Sequence, residues 1–154
     1  MIIGSIGAGK TTLTNALLNN QLDSLKTQSL NYDEWIVDTP GEYIENPMHY
    51  RNIMATSLEV THVFYIQDAT KSNLTFPPGF SLGFSKLAVG VVTKADDDNA
   101  DIERAKKNLK RVIGEAPIII TSAKKGDGLQ TLRDLVKCSS LQEMTDYLEF
   151  NSLN

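Results

Sequence analysis

The sequence predicts an α/β fold: a three-layer, doubly wound and mostly parallel sheet with helices on both faces. Three observations predict it. Met1-Ile2-Ile3 runs into a glycine-rich loop and then into a helix-like stretch, Thr12-Leu13-Thr14-Asn15-Ala16-Leu17-Leu18. Residues 63–66, 87–92 and 117–120 are continuous apolar, largely β-branched runs, the composition of parallel strands covered on both faces. Each of these runs delivers a short polar motif at its end, where open α/β sheets bind ligands.

The 154 residues suit a single domain, 1–154, with one sizeable core, and residues 149–154 read as a frayed tail. A hydrophobic content of 41% and a charged content of 22% are those of an ordinary globular chain. The formal net charge of −4 gives no attraction to a nucleic-acid backbone or an anionic membrane. No apolar run approaches the length of a membrane span, and no signal peptide is visible. Together with the lone Cys138, these features predict a reducing, cytoplasmic setting. Cys138 itself reads as a small residue near a helix end rather than a reactive thiol.

Gly4-Ser5-Ile6-Gly7-Ala8-Gly9-Lys10-Thr11 fits G-x-x-x-x-G-K-[ST], the phosphate-binding P-loop. Its glycines let successive N–H groups turn toward phosphate oxygens. Lys10 supplies a positive charge to the β- and γ-phosphates, the Thr11 hydroxyl an oxygen for Mg²⁺, and the following helix its positive N-terminal end. Gly4, Gly7, Ala8, Gly9, Lys10, Thr11 and Thr12 are the candidate phosphate-binding residues. The leading strand is short for this motif.

A polar loop is expected from Asn19. Asn31 to Glu34 is expected to turn a hairpin between the segment before it and the strand Trp35-Ile36-Val37. That strand ends in Asp38-Thr39-Pro40-Gly41. In this position an aspartate helps hold Mg²⁺, and the Gly41 N–H can bond a γ-phosphate. Residues 42–49 then form the expected switch region, and a helix resumes over 50–58. His49 and His62 read as structural. Residues 73–84, rich in Pro, Gly and aromatics, fit neither regular helix nor central strand. Phe76, Phe80 and Phe84 there need cover, from the domain's own core or from a partner.

The strand over 87–92 leads to Thr93-Lys94-Ala95-Asp96, close to N-K-x-D. In that motif the aspartate accepts from both N1–H and N2–H₂ of guanine, a donor pair adenine lacks, and the lysine stem packs on the base. Thr93 stands where the template has Asn, and its shorter reach predicts a weaker tie to the P-loop. Asp97 to Asp101 offer N-caps for an amphipathic helix closed by Gly114, with Lys106, Lys107, Lys110 and Arg111 on a solvated face. The strand over 117–120 delivers Thr121-Ser122-Ala123-Lys124, in which S-A-K would present an N–H to guanine O6. A closing helix follows with Leu132, Leu135 and Val136 inward. Ser139-Ser140 breaks it before a last helix from Leu141.

The four motifs stand in the order found in GTPases, which predicts a P-loop NTPase fold of small-GTPase type. The P-loop with Thr12-Leu13, Lys26-Thr27-Gln28 and Asp38-Thr39-Pro40-Gly41-Glu42-Tyr43 together resemble the EutP/PduV family, Ras-like P-loop proteins of bacterial ethanolamine- and propanediol-utilisation operons. The resemblance implies a bacterial cytoplasmic protein linked to a metabolic microcompartment. By carry-over from GTPases the cofactors are Mg²⁺ and GTP or GDP, with ATP left open. Thr11, Thr27 and Asp38 would hold the metal. Lys10, Thr27, Gly41 and Glu42 would act at the γ-phosphate. Lys94, Asp96, Ser122, Ala123 and Lys124 would form the base site. Ras-type enzymes carry glutamine where Glu42 stands, so slow hydrolysis is expected. Three functional classes fit: a GTP-binding switch, a small phosphotransferase acting on a carboxylate such as acetate, and a scaffold. The scaffold would dock on a microcompartment shell or metabolic protein through the switch region or the loop from Phe76 to Phe84.

Overall fold

The computed structural model describes residues 1–18, 31–33 and 35–153. Its sheet runs in the order β2-β3-β1-β4-β5-β6. The strands are β1 (Ile2–Ile3), β2 (Asn31–Asp33), β3 (Ile36–Asp38), β4 (His62–Asp68), β5 (Leu87–Thr93) and β6 (Ile118–Ile120). All neighbours are parallel except β2 on β3, an antiparallel edge. The helices are α1 (Lys10–Leu17), α2 (Glu42–Glu45), α3 (Tyr50–Ser57), α4 (Ile102–Ile113), α5 (Leu129–Leu135) and α6 (Leu141–Ser152).

Two-residue periodicity sorts the strand side chains into two cores. Ile3, Val63, Tyr65 and Val92 face α2, α3 and α4. Ile2, Phe64, Ile66, Val89 and Val91 face α1, α5 and α6. The three layers follow directly from this alternation. β4 and β5 match over their full length, from His62↔Leu87 to Asp68↔Thr93, so their polar last residues arrive at the same edge.

The hairpin expectation is corrected. Asn31 to Asp33 is a strand, not a turn, and it pairs with β3 in the register Asn31↔Asp38, Tyr32↔Val37 and Asp33↔Ile36, with Trp35 at the turn. Asn and Asp favour turns locally, but ladder pairing at a sheet edge outweighs that bias.

Loop 76–84 covers the α3/α4 face. Phe76 and Phe84 are buried and Phe80 packs against the same core. Tyr65 meets Phe76 edge-on with ring centroids 5.5 Å apart, and Phe80 lies 5.3 Å from Phe84. The Gly79 N–H and the Ser81 hydroxyl donate to the Arg111 and Val112 carbonyls, both at 2.8 Å, and pin the loop to α4. These rings therefore cover the chain's own core, while Pro77, Pro78, Leu82 and Gly83 are exposed, Leu82 by 88%. His49 stacks on Tyr43 at 5.3 Å, and His62 is buried where it opens β4. Burial and the Glu143 and Asp134 carboxylates push the Cys138 thiol up, which favours the thiol over the thiolate. Ser140 caps α6 by accepting from the Glu143 N–H, and that helix continues to Ser152, over most of the stretch expected to fray. Among the described residues no helix is long and apolar enough to cross a membrane.

Candidate functional site

β1 ends at Ile3 and α1 begins at Lys10, so the glycine loop spans the carboxyl edge of the central strand. β3 and β4 flank that strand, and chain direction across the sheet reverses there. Gly7 and Gly9 take φ of 73° and 92°, left-handed values that glycine adopts freely. Lys10 is 6% exposed, and its Nζ donates to the Gly4 and Ser5 carbonyls at 2.9 and 2.8 Å. Burial lowers its pKa, and the Asp38 and Glu45 carboxylates oppose the shift. The Thr11 hydroxyl donates to Asp38 Oδ2 at 2.8 Å, and Asp38, the last residue of β3, is 2% exposed.

Gly41 presses against this loop. A Cβ there would fall 2.5 Å from the Ile6 nitrogen and 2.6 Å from its Cα, so no other residue fits without moving the main chain. Gly41 caps α2. The first residue of that helix, Glu42, is exposed, and its last, Glu45, accepts the Ile6 N–H through Oε1 at 2.8 Å. Thr27 lies outside the described residues.

The ends of β5 and β6 build a second group. The Thr93 hydroxyl donates to the Ala8 carbonyl at 2.6 Å. The tie expected of asparagine is therefore made, because β5 carries Thr93 close enough for a short side chain. Lys94 Nζ donates to the Gly7 carbonyl at 2.8 Å and pairs with Asp68 at 2.6 Å. Ser122 donates to Asp96 Oδ1 at 2.7 Å, and this hydrogen bond holds the Asp96 carboxyl below the usual carboxylate range. The Ala95 N–H donates to the Thr121 carbonyl at 3.2 Å and joins the two strand ends.

Between the groups lies a cavity of about 170 Å³, lined by Gly9, Thr12, Leu13, Thr93, Lys94, Asp96, Asp97, Thr121, Ala123 and Lys124. A larger cavity of about 450 Å³ sits at the opposite ends of the strands, against Met1, Trp35, Val60, His62 and Val136. It is mostly apolar and contains none of the motif residues, so the smaller one is the candidate site.

The fold thus brings the residues of 4–12 together with Asp38 and Gly41 at one end, and Lys94, Asp96, Ala123 and Lys124 at the other. Ser122 stands behind Asp96. Two residues escaped the sequence reading, Asp68 beneath Lys94 and Glu45 on the loop. Asp68 carried a usable signal, since it ends a strand at the same edge as Asp38. Glu45 carried none.

A family model described as ethanolamine utilisation – propanediol utilisation (PduV-EutP) matches residues 1–138. The chain is 34% identical over 143 residues to an Escherichia coli K12 protein named "Probable acetate kinase EutP", covering 92% of this chain and 90% of the relative. A Salmonella typhimurium protein of the same name is 32% identical over the same shares of both chains. The "Propanediol utilization protein PduV" of Citrobacter freundii is 35% identical over 96 residues, 62% of this chain and 64% of the relative.

Proposed function

The chain belongs to the PduV-EutP family of ethanolamine- and propanediol-utilisation proteins, and on that premise we propose that it binds GTP or GDP with Mg²⁺, hydrolyses GTP slowly, and acts as a switch in bacterial microcompartment metabolism. The observation that carries this reading is the Asp96–Ser122 pair, held at the mouth of a cavity that opens onto the glycine loop. The Ser122 hydrogen bond keeps Asp96 ionised. The carboxylate then accepts from guanine N1–H and N2–H₂, while adenine would leave it without donors.

The donor set at Thr11 and Asp38 fits Mg²⁺: one hydroxyl and one carboxylate oxygen, 2.8 Å apart. Mg²⁺ takes few protein ligands and completes its shell with phosphate oxygens and water. Among the described residues no group of three or more His, Cys, Asp and Glu could hold a metal, so the ion would be shared with the nucleotide. Thr27 would be a further ligand. Bound there, Mg²⁺ would neutralise charge on the phosphates. Lys10 would leave the Gly4 and Ser5 carbonyls for the phosphate oxygens. Glu42 can accept from an attacking water but cannot donate to the γ-phosphate, and its charge repels it, which supports slow hydrolysis. Residues 42–49, next to the loop, are the surface for a shell or metabolic partner.

The test is the affinity for GTP, GDP and ATP with Mg²⁺, in wild type and Asp96→Ala. Guanine nucleotides should bind at least tenfold better than ATP, and Asp96→Ala should erase the difference, each lost bond to a charged acceptor being worth about 1.5–3 kcal/mol. Equal binding of ATP and GTP, unchanged in Asp96→Ala, would overturn the guanine site. The names borne by the relatives favour a second reading, phosphoryl transfer to a carboxylate. Release of nucleoside diphosphate that accelerates on adding acetate would establish it in place of the switch.

A further inference from the structure

Lys94 is, among the described residues, the one non-glycine with a positive φ, 58°. In that conformation Cβ crowds the next carbonyl, and a lysine keeps it only where its surroundings over-determine it. Two contacts do so here. Nζ donates to the Gly7 carbonyl at 2.8 Å and pairs with Asp68 Oδ2 at 2.6 Å. Asp68 is itself immobilised. It ends β4, its side chain is 2% exposed, and its Oδ1 accepts from the Thr70 N–H at 2.8 Å and the Thr70 hydroxyl at 2.7 Å. Burial works against its charge, but the bonds from Lys94 and Thr70 hold its carboxyl below the usual range. A buried carboxylate with every tie accounted for has one use at this edge of the sheet, which is to fix where the ammonium sits.

We propose that Asp68 is a positioning residue of the nucleotide site, anchoring Lys94 so that its aliphatic stem walls the base cavity while its ammonium clips the glycine loop at Gly7. This rests on the nucleotide-binding reading above. The stem lines the cavity, and its Cε lies 3.9 Å from where a Gly9 Cβ would stand, so it spans cavity and loop together. A wall of methylenes packs against any base. Asp68 therefore sets affinity for guanine and adenine nucleotides alike, while Asp96 chooses between them.

Mg²⁺·GTP and Mg²⁺·ATP are titrated into wild type, Asp68→Asn, Lys94→Met and the double variant, with thermal midpoints recorded for each. Asp68→Asn keeps an oxygen for Thr70 and replaces the charged acceptor that faces Lys94 with an amide that only donates. It should weaken both nucleotides about tenfold and leave their ratio within about twofold. The double variant should bind no worse than Lys94→Met alone, because Asp68 acts through Lys94. Thr70→Ala, which keeps the ion pair and the main-chain N–H bond but removes the hydroxyl bond to Asp68, should give a smaller loss of the same kind and serves if Asp68→Asn fails to fold. Wild-type affinity in Asp68→Asn overturns the proposal, as does a lowered midpoint without loss of affinity, or additive losses in the double variant. If wild type binds neither nucleotide, the nucleotide reading falls and this proposal with it. If wild type binds and Asp96→Ala loses guanine preference while Asp68→Asn is unaffected, only the proposal falls.

Discussion

At the end of the site formed by β5 and β6, side chains hold one another. Thr93 reaches Ala8, Lys94 spans Gly7 and Asp68, and Ser122 orients Asp96. At the glycine-loop end, the groups suited to phosphate are engaged by the chain itself. Lys10 donates to two carbonyls of its own loop, and the Ile6 N–H donates to Glu45. The difference lies in the cost of binding. On the proposed reading, a base would meet a pre-organised cavity and demand little rearrangement, whereas a phosphate would have to exchange existing internal hydrogen bonds for its own. Selectivity should therefore come from the rigid end, and conformational response from the end that has bonds to give up.

Three substitutions would break or sharpen this contrast. Lys10→Ala removes the one buried cation of the loop. Charge-assisted bonds are worth about 1.5–3 kcal/mol each, so Mg²⁺·GTP affinity should fall about 100-fold by calorimetric titration. A loss below about threefold would mean that the loop contributes little and would reverse the comparison. Thr93→Val keeps the shape but removes the bond to the Ala8 carbonyl. It should cost about 1 kcal/mol, seen as about fivefold weaker GTP binding and a midpoint lower by about 2–4 °C, with guanine preference intact. Loss of that preference would show that the tie orients Asp96 as well. Glu45→Gln is the mildest. Glu45 is exposed, so removing its charge should raise GTP affinity only about twofold to threefold and leave GDP nearly unchanged. Weaker GTP binding would show that Glu45 supports the loop rather than competing for it.

Much of this was legible in advance because strand-end motifs depend on local sequence. The runs through Phe64 and Val91 read as buried strands, and parallel pairing then forces their polar last residues to one edge. Asp68 is legible as a strand-end carboxylate at this edge, but its pairing with Lys94 is not, because the contact joins residues 26 apart through the register of β4 on β5. Neither was Glu45 on Ile6, which depends on how α2 leans. The need of Phe76, Phe80 and Phe84 for cover could be read from their apolarity, but the choice between core and partner could not. For Thr93, side-chain length alone predicts a short reach. The distance to be spanned is set by tertiary packing, and there it is short.

The approach of Gly41 to Ile6 leaves no clearance between the two segments. Parts that meet without play behave as a gear rather than a spring. The loop cannot shift toward α2 without driving it, and α2 cannot be pushed from outside without displacing the loop. A partner leaning on the exposed side of residues 42–49 would therefore have a mechanical input to the phosphate end. The lever would be the few residues from Gly41 to Glu45, which meet Ile6 at both ends.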